Sequence, residues 1–144
     1  MSDFTIRKVS SGDYEAVYGL ICDLEDTILA PEAFRSIFEI NISNAAYLYL
    51  LAEKDSEVIG MISLHCQLLL HHCGLVGEVQ ELIVKENFRG MSVGEALLDE
   101  VVSFARQNNW LQLEVSSNKK RLRAHQFYLK NGFAQNHFKF VRIL

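Results

Sequence analysis

Apolar positions recur along this chain with two different periods, and the switches between them lay out the elements. Residues 3–9 alternate Phe4 and Ile6 with Arg7 and Lys8 and run into Ser10, Ser11 and Gly12, which predicts a strand ending at a helix cap. Tyr14, Val17, Leu20, Ile21 and Leu24 then return at helical spacing, leaving Asp23, Glu25 and Asp26 to solvent. Pro31 suits a first helical turn, where a missing N–H costs nothing. Phe34, Ile37, Phe38 and Ile42 give the helix behind it an apolar face that should end near Asn44. The runs AYLYLLA (46–52) and VIGMISLHCQLLLH (58–71) flank a polar turn of Lys54, Asp55, Ser56 and Glu57 and read as a hairpin of two long strands. A third apolar segment, 75–84, follows a connection through His71, His72, Cys73 and Gly74. It carries Glu78, Gln80 and Glu81, where a fully buried central strand would carry no polar residue.

Past KENFRGMSVG, the residues Val93, Leu97, Val101, Phe104 and Ala105 mark one face of a helix that Asn108 and Asn109 stop. WLQLEVS is a strand by alternation, SNKKR a polar loop, and AHQFYLKNGF a short helix closed by Asn131 and Gly132. A last strand is expected over 138–143. The predicted order is β α α β β β α β α β, an α/β mixed-sheet domain spanning residues 1–144, without repeat or linker.

Composition narrows the class of partner. With 144 residues, 49% hydrophobic, one proline and eight glycines, the chain has core material enough to fold alone. Fourteen Lys and Arg against 18 Asp and Glu leave a formal charge of −4, which offers no broad basic face for nucleic acid. Cys22, Cys66 and Cys73 show no CxxC spacing and sit in apolar segments, so they read as buried thiols of a reducing compartment. MSDFTIRKVS has no apolar leader core, and no apolar run reaches bilayer-spanning length, so cytoplasm is expected and a membrane is not.

The segment with the most chemical content is the strand-to-helix turn through Arg89, Gly90, Met91, Ser92, Val93 and Gly94. Small residues there leave successive N–H groups uncovered at a helix start, where the helix dipole and the unpaired donors favour an anion, and Arg89 adds a cationic fork. A diphosphate would fit. A tight turn that needs glycine for backbone reasons alone is the other reading of these residues.

The run 89–94 resembles the acyl-CoA pyrophosphate loop of the N-acetyltransferases of the GNAT family, Q/R-x-x-G-x-G/A. It is preceded, as in that family, by a strand ending Leu-x-Val, here Leu82 to Val84, and FYLKNGF (127–133) is similar to the family's last helix. Ser92 departs from the pattern, standing where a glycine is usual. The resemblance implies an acyl-CoA N-acyltransferase fold with acetyl-CoA as co-substrate. It also implies that Glu78 is the general base, with a water as relay, and that a splayed strand offers a backbone donor near Leu82 or Ile83 to the acyl oxygen. Val84 would pair with the pantetheine arm, Tyr128 would be the general acid, Asn118 would contact the cofactor, and Lys130 would be a weaker phosphate ligand. Period-two alternation sets Glu78, Gln80, Leu82 and Val84 on one face and Glu81 on the other, which makes Glu81 the second candidate base. Either glutamate could instead be a solvated strand residue or an ion-pair partner.

Segments outside these motifs, AVYGLICDLE, GMISLHCQLLLHH, GEVQELIV and NHFKF, look like the aminoalkylphosphonate N-acetyltransferases. This implies a small aminophosphonate as acceptor and a divalent ion whose ligands it does not name. His65, His71, His72, Glu81 and His137 are the expected substrate-side residues, with Lys139 and Arg142 as further cations. A polyamine, an aminoglycoside or a protein amine stays open as acceptor, as does a non-catalytic acyl-CoA-binding module; a homodimer is the oligomer considered.

Overall fold

The computed structural model describes residues 3–144; Met1 and Ser2, part of the stretch read for a leader, lie outside them. Strand β1 (Thr5–Lys8) leads through a short turn into helix α1 (Tyr14–Glu25) and then α2 (Pro31–Ile42). Strands β2 (Tyr47–Lys54), β3 (Glu57–Leu69) and β4 (Gly74–Val84) follow, then α3 (Val93–Gln107), β5 (Gln112–Val115) and α4 (Leu122–Lys130). The five strands lie in the order β1-β2-β3-β4-β5, antiparallel except for the parallel β4–β5 pair. Asp55 and Ser56 close the β2–β3 hairpin at φ 48° and 65°, the pair of left-handed residues that lets a two-residue turn follow the strand twist.

Helices cover both faces of the sheet. α1 and α2 bury Tyr14, Val17, Leu20, Ile21 and Phe38 against Leu51, Met61 and Ile83. On the other face α3 packs Val93, Leu97, Leu98 and Val101 against Leu50, Ile62, Leu64 and Val79. Ile37, placed on the buried face of α2 by its spacing, is 57% exposed, because α2 reaches the sheet chiefly through Phe38. Trp110, read as the start of a strand, precedes β5; its ring lies over Gly77 on β4, where a Cβ would come within 2.5 Å of it.

Three further expectations are corrected. Residues 138–143 form no strand: beyond Phe133 the chain takes no regular structure and is exposed throughout, since neither end of the chain's own sheet pairs with it. Of the three thiols only Cys22 is buried. Cys66 is half-buried and Cys73 exposed, because the far end of the β3–β4 hairpin projects past the helices. The alternation assumed for 78–84 is broken by a bulge: Ser63 pairs with Glu81 and Leu64 with Val79, so Gln80 has no partner across the ladder. Val79 faces α3 while Glu81 and Ile83 face α1 and α2, and Glu78, opposite His65, shares that second face. The extra residue therefore puts both glutamates on one side of the sheet.

Candidate active site

The parallel pairing of β4 with β5 covers only Val76–Val79 against Gln112–Val115. Past the bulge at Gln80 the outer edge of β4 has no strand beside it, and the sheet opens. Glu81 N–H donates to Ser63 Oγ at 3.0 Å and Lys85 N–H to Ile59 C=O at 2.8 Å, both on the β3 side. By alternation Ile83 also bonds toward β3, so the main-chain groups of Leu82 and Val84 point into the opening. Arg89 Nε donates to the Val84 carbonyl at 3.0 Å, and the N–H groups of Leu82 and Val84 are the donors on this edge. Of Leu82 and Ile83, Leu82 is the one whose N–H faces the gap.

One wall of the opening is the start of α3. Gly90 sits at φ 81° and Ser92 at φ 62°, which turns the chain sharply from β4 into the helix. The first helical bond is donated by Ala96 N–H to Ser92 C=O at 3.0 Å, and no side chain caps the end, so the amides of Val93, Gly94 and Glu95 stand ahead of the ladder. Met91 is exposed and Val93 buried, the latter anchoring the helix start in the core. A cleft of about 560 Å³ adjoins this wall, lined by Cys22, Asp26, Ile83, Val84, Lys85 and Arg89 among others. Glu78, Glu81 and Tyr128 lie outside its lining. Lys130 pairs with Glu95 Oε1 at 3.3 Å on the first turn of α3.

The opposite wall is α4 and the loop before it. Tyr128 is half-buried against Phe127 and Phe133, each ring centroid 5.4 Å away. Burial pushes its phenol above the ordinary value, with Arg121 pulling the other way, and the hydroxyl has no hydrogen-bond partner among the described residues. Asn118 accepts the Lys120 N–H at its Oδ1 (3.0 Å), and its carbonyl contacts His125 Nε2 at 2.8 Å, so it shapes this loop. Beside it, the Ser117 hydroxyl is the buried side-chain polar atom left without a partner among the described residues. Buried hydroxyls are nearly always paired, so an unpaired one on the loop that follows β5 fits a ligand with polar atoms along this opening.

On the α1–α2 side of the sheet a polar cluster surrounds the two glutamates. Tyr49 Oη accepts from Asn41 Nδ2 at 2.9 Å and meets His65 Nε2 at 3.0 Å, while the Tyr47 ring stacks on His65 at 3.7 Å. Burial pushes the Tyr49 phenol up to about 12 and the His65 imidazole down, so both are neutral near pH 7. Glu81 receives the Ser63 hydroxyl proton in a short hydrogen bond; burial raises its carboxyl, Ser63 partly offsets that, and Glu25 raises it further. Arg121 reaches from the loop before α4 to the Leu24 carbonyl at 3.0 Å and lies 4.0 Å from Glu25, tying the end of α1 to the wall that holds Tyr128.

The structure therefore gathers Glu78, Glu81 and His65 on one sheet face, sets the α3 amides beside the Leu82–Val84 edge, and carries Ser117, Asn118 and Tyr128 on the segment that follows β5. His71 and His72 sit on the turn at the start of β4, ~30 Å of strand from Val84, but His72 Nε2 lies 4.0 Å from Glu114, the β5 partner of Glu78. His137 is not brought in: it is exposed and bonds only its neighbour Asn136. Ser63, Tyr49, Asn41 and Arg121 escaped the sequence reading. Arg121 alone had a signal, a basic run at 119–123 in an acidic chain. Among the described residues no three His, Cys, Asp or Glu side chains converge as ligands of a cation.

Residues 45–135 match the family model of the acetyltransferase (GNAT) domain. Over 139 residues the chain is 42% identical to the aminoalkylphosphonate N-acetyltransferase of Salmonella typhimurium LT2, an alignment covering 96% of this chain and 90% of that one. The chain belongs to the GNAT acetyltransferase family. It is an N-acetyltransferase, and acetyl-CoA is the co-substrate of its family. Solved structures share its fold: a transcriptional regulator from Bacillus halodurans C-125 (TM-score 0.90, 19% identity, 98% of this chain and 99% of that one) and the glucosamine-6-phosphate N-acetyltransferase of Arabidopsis thaliana (TM-score 0.82, 19% identity, 97% of each). No helix among the described residues is long and apolar enough to cross a membrane.

Proposed function

We propose that residues 1–144 form one catalytic domain that moves the acetyl group of acetyl-CoA to the primary amine of a small aminoalkylphosphonate, by direct attack, in the cytoplasm and as a homodimer. The observation that carries this reading is the near full-length likeness to the Salmonella transferase, which extends through the acceptor-side strands as well as the cofactor loop. In this reading the amides of Val93, Gly94 and Glu95 and the Arg89 side chain hold the cofactor's diphosphate. The Leu82 N–H donates to the acyl oxygen as it gains charge, and Val84 and the unpaired Ser117 hydroxyl serve the pantetheine arm.

An alkylammonium with a pKa of about 10 must lose a proton before its nitrogen can attack. Glu78, on the face shared with Glu81, takes that proton through a water. Glu81, held by Ser63, orients the amine and is the second candidate base. The new C–N bond forms as the C–S bond breaks, and Tyr128, kept protonated by burial, gives its proton to the departing thiolate. In this reading Arg121, beside Glu25 and acting on Tyr128, is the cation that meets the phosphonate, while Lys139, Arg142 and His137 lie on the exposed tail.

The test is a turnover panel read by release of CoA thiol, run with and without a chelator. Aminomethyl-, 1-aminoethyl- and 2-aminoethylphosphonate should give the highest kcat/KM. Polyamines or aminoglycosides outcompeting them would overturn the acceptor. Glu78→Gln should lower kcat by about 10²–10⁴ with KM little changed. If Glu81→Gln gives that loss instead, the two glutamates exchange roles.

A further inference from the structure

Four side chains, Tyr47, His65, Glu78 and Glu114, are successive partners across β2, β3, β4 and β5 and form one row on a single face of the sheet. Acetyl transfer as described above uses Glu78 from this row and leaves His65 without a task. The histidine is nonetheless firmly held. Its ring lies flat against the Tyr47 ring, with centroids 3.7 Å apart and planes at 10°, and its Nε2 meets Tyr49 Oη at 3.0 Å. Tyr49 is fixed in turn by Asn41, on the last turn of α2.

The order of donors along this chain settles where the imidazole carries its proton. Asn41 Nδ2 donates to Tyr49 Oη at 2.9 Å, so the phenol's own O–H has His65 Nε2 as its acceptor. Burial keeps that phenol protonated and the imidazole neutral near pH 7. A neutral imidazole has one N–H, and with Nε2 accepting, that proton is on Nδ1. His65 then has no lone pair left to take a proton from an amine, which removes it as a base. What it offers is a single N–H. Among the described residues Nδ1 has no partner and the Glu78 carboxylate has no hydrogen bond, although its charge acts on the ring. The unpaired buried side-chain atom among those residues is Ser117 Oγ, so both of these groups reach open space. Paired residues on neighbouring strands have Cβ atoms about 4.5–5.5 Å apart, and an imidazole and a carboxylate at that spacing without a direct bond are spanned by one bridging water.

We propose that His65 is a positioning residue that donates its Nδ1–H to the water through which Glu78 takes the proton of the acceptor amine. One lone pair of that water accepts from Nδ1, the other receives the ammonium proton, and one of the water's own hydrogens passes to the Glu78 carboxylate. Water is regenerated, Glu78 ends as the carboxylic acid, the amine ends as the neutral nucleophile, and the imidazole is unchanged. Fixing one lone pair aims the other, which a rigidly stacked donor does and a freely rotating one does not. His65 has this task only if Glu78 is the general base, as in the reading above.

Chain labelled with heavy nitrogen gives the tautomer directly by magnetic resonance, since protonated and bare ring nitrogens resonate far apart. Expected on His65 near neutral pH are a bare Nε2 and a protonated Nδ1, with Tyr49→Phe moving the proton to Nε2. Turnover then separates position from packing, because an asparagine amide can stand where Nδ1 stands and a glutamine amide where Nε2 stands. His65→Gln should lower kcat by up to about 10²-fold with KM for both substrates little changed, and His65→Asn should recover most of that loss. A protonated Nε2 in the parent, equal rates in the two variants, or a raised acceptor KM at unchanged kcat would overturn the proposal. Glu78→Gln is run beside them. If it turns over at the parental rate, the base assignment fails and His65 loses its task with it, whereas a slow Glu78→Gln beside a parental His65→Gln sinks the role of His65 alone.

Discussion

At Ser92 the backbone sits at φ 62°, a region that costs a side-chain-bearing residue about 1–2 kcal/mol and glycine nearly nothing. The family glycine that this serine replaces thus has a conformational reason, and the serine keeps the amide while bearing the strain. Ser92→Gly should raise stability by about 1 kcal/mol, a rise in Tm of roughly 3 °C by calorimetry. Glu81 makes a pH-dependent prediction. Its carboxyl is raised in the folded state, so the native chain holds that proton more tightly than the unfolded one. The protonated form favours folding at low pH, and this contribution is lost as pH rises through the raised value. Glu81→Gln should therefore become progressively more stable than the parent as pH rises through and above the ordinary carboxylate range, by denaturant unfolding at several pH values. A constant difference between the two proteins would refute this. Both glutamates were visible in the sequence as polar residues in an apolar strand, but their shared face was not, because a one-residue bulge reverses every side chain beyond it.

Among the elements, β4 depends on close approach at two glycines. A Cβ on Gly77 would meet the rigid Trp110 ring at 2.5 Å, and one on Gly60 the Ile83 carbonyl at 3.0 Å. Gly77→Ala should cost about 1–3 kcal/mol by urea unfolding, and more than Gly94→Ala, whose Cβ would find only ordinary contacts at 3.7 Å or longer. The first strand is pinned by Arg7, which binds Asp13 at 2.8 and 2.9 Å and Glu53 at 2.8 Å, joining β1, the turn before α1 and β2. Arg7 holds the Asp13 carboxyl down at about 2 against an ordinary 3.8. A depressed carboxylate stabilises the fold above its unfolded value and loses that contribution as pH falls toward 2. Asp13→Asn should thus be less stable than the parent at pH 7 and nearly equal to it at pH 2. Helices and strands with long, regular spacing were legible to within a few residues. Ile37 and Trp110 were not, because burial there depends on how α2 leans on the sheet and on which strand lies beneath the ring.

For the whole molecule, a co-substrate held by the folded chain and not by the unfolded one adds stability by mass action. The Tm should rise as acetyl-CoA is raised a hundredfold above its dissociation constant, which circular dichroism on the same samples can check. The expected last strand is the clearest case of a local pattern that a single chain leaves unused. Residues 138–143 have the alternation of a strand, but strand formation needs an edge to bond to, and that edge lies outside the stretch of sequence that carries the pattern.

By itself the sequence determined the order of the elements as far as α4 and the amide-rich turn at the start of α3, and it marked Glu78 and Glu81 as polar residues in an apolar strand. Each follows from residues adjacent in the chain or from a periodic repeat. The tertiary structure decided that the two glutamates share a face, that Leu82 rather than Ile83 opens toward the gap, that Arg121 bridges α1 and the α4 wall, that His72 reaches Glu114 beside Glu78, and that His137 stands away. Those outcomes depend on a bulge, on where two parallel strands part and on which surfaces face each other across the fold, quantities set by packing among segments distant in the chain.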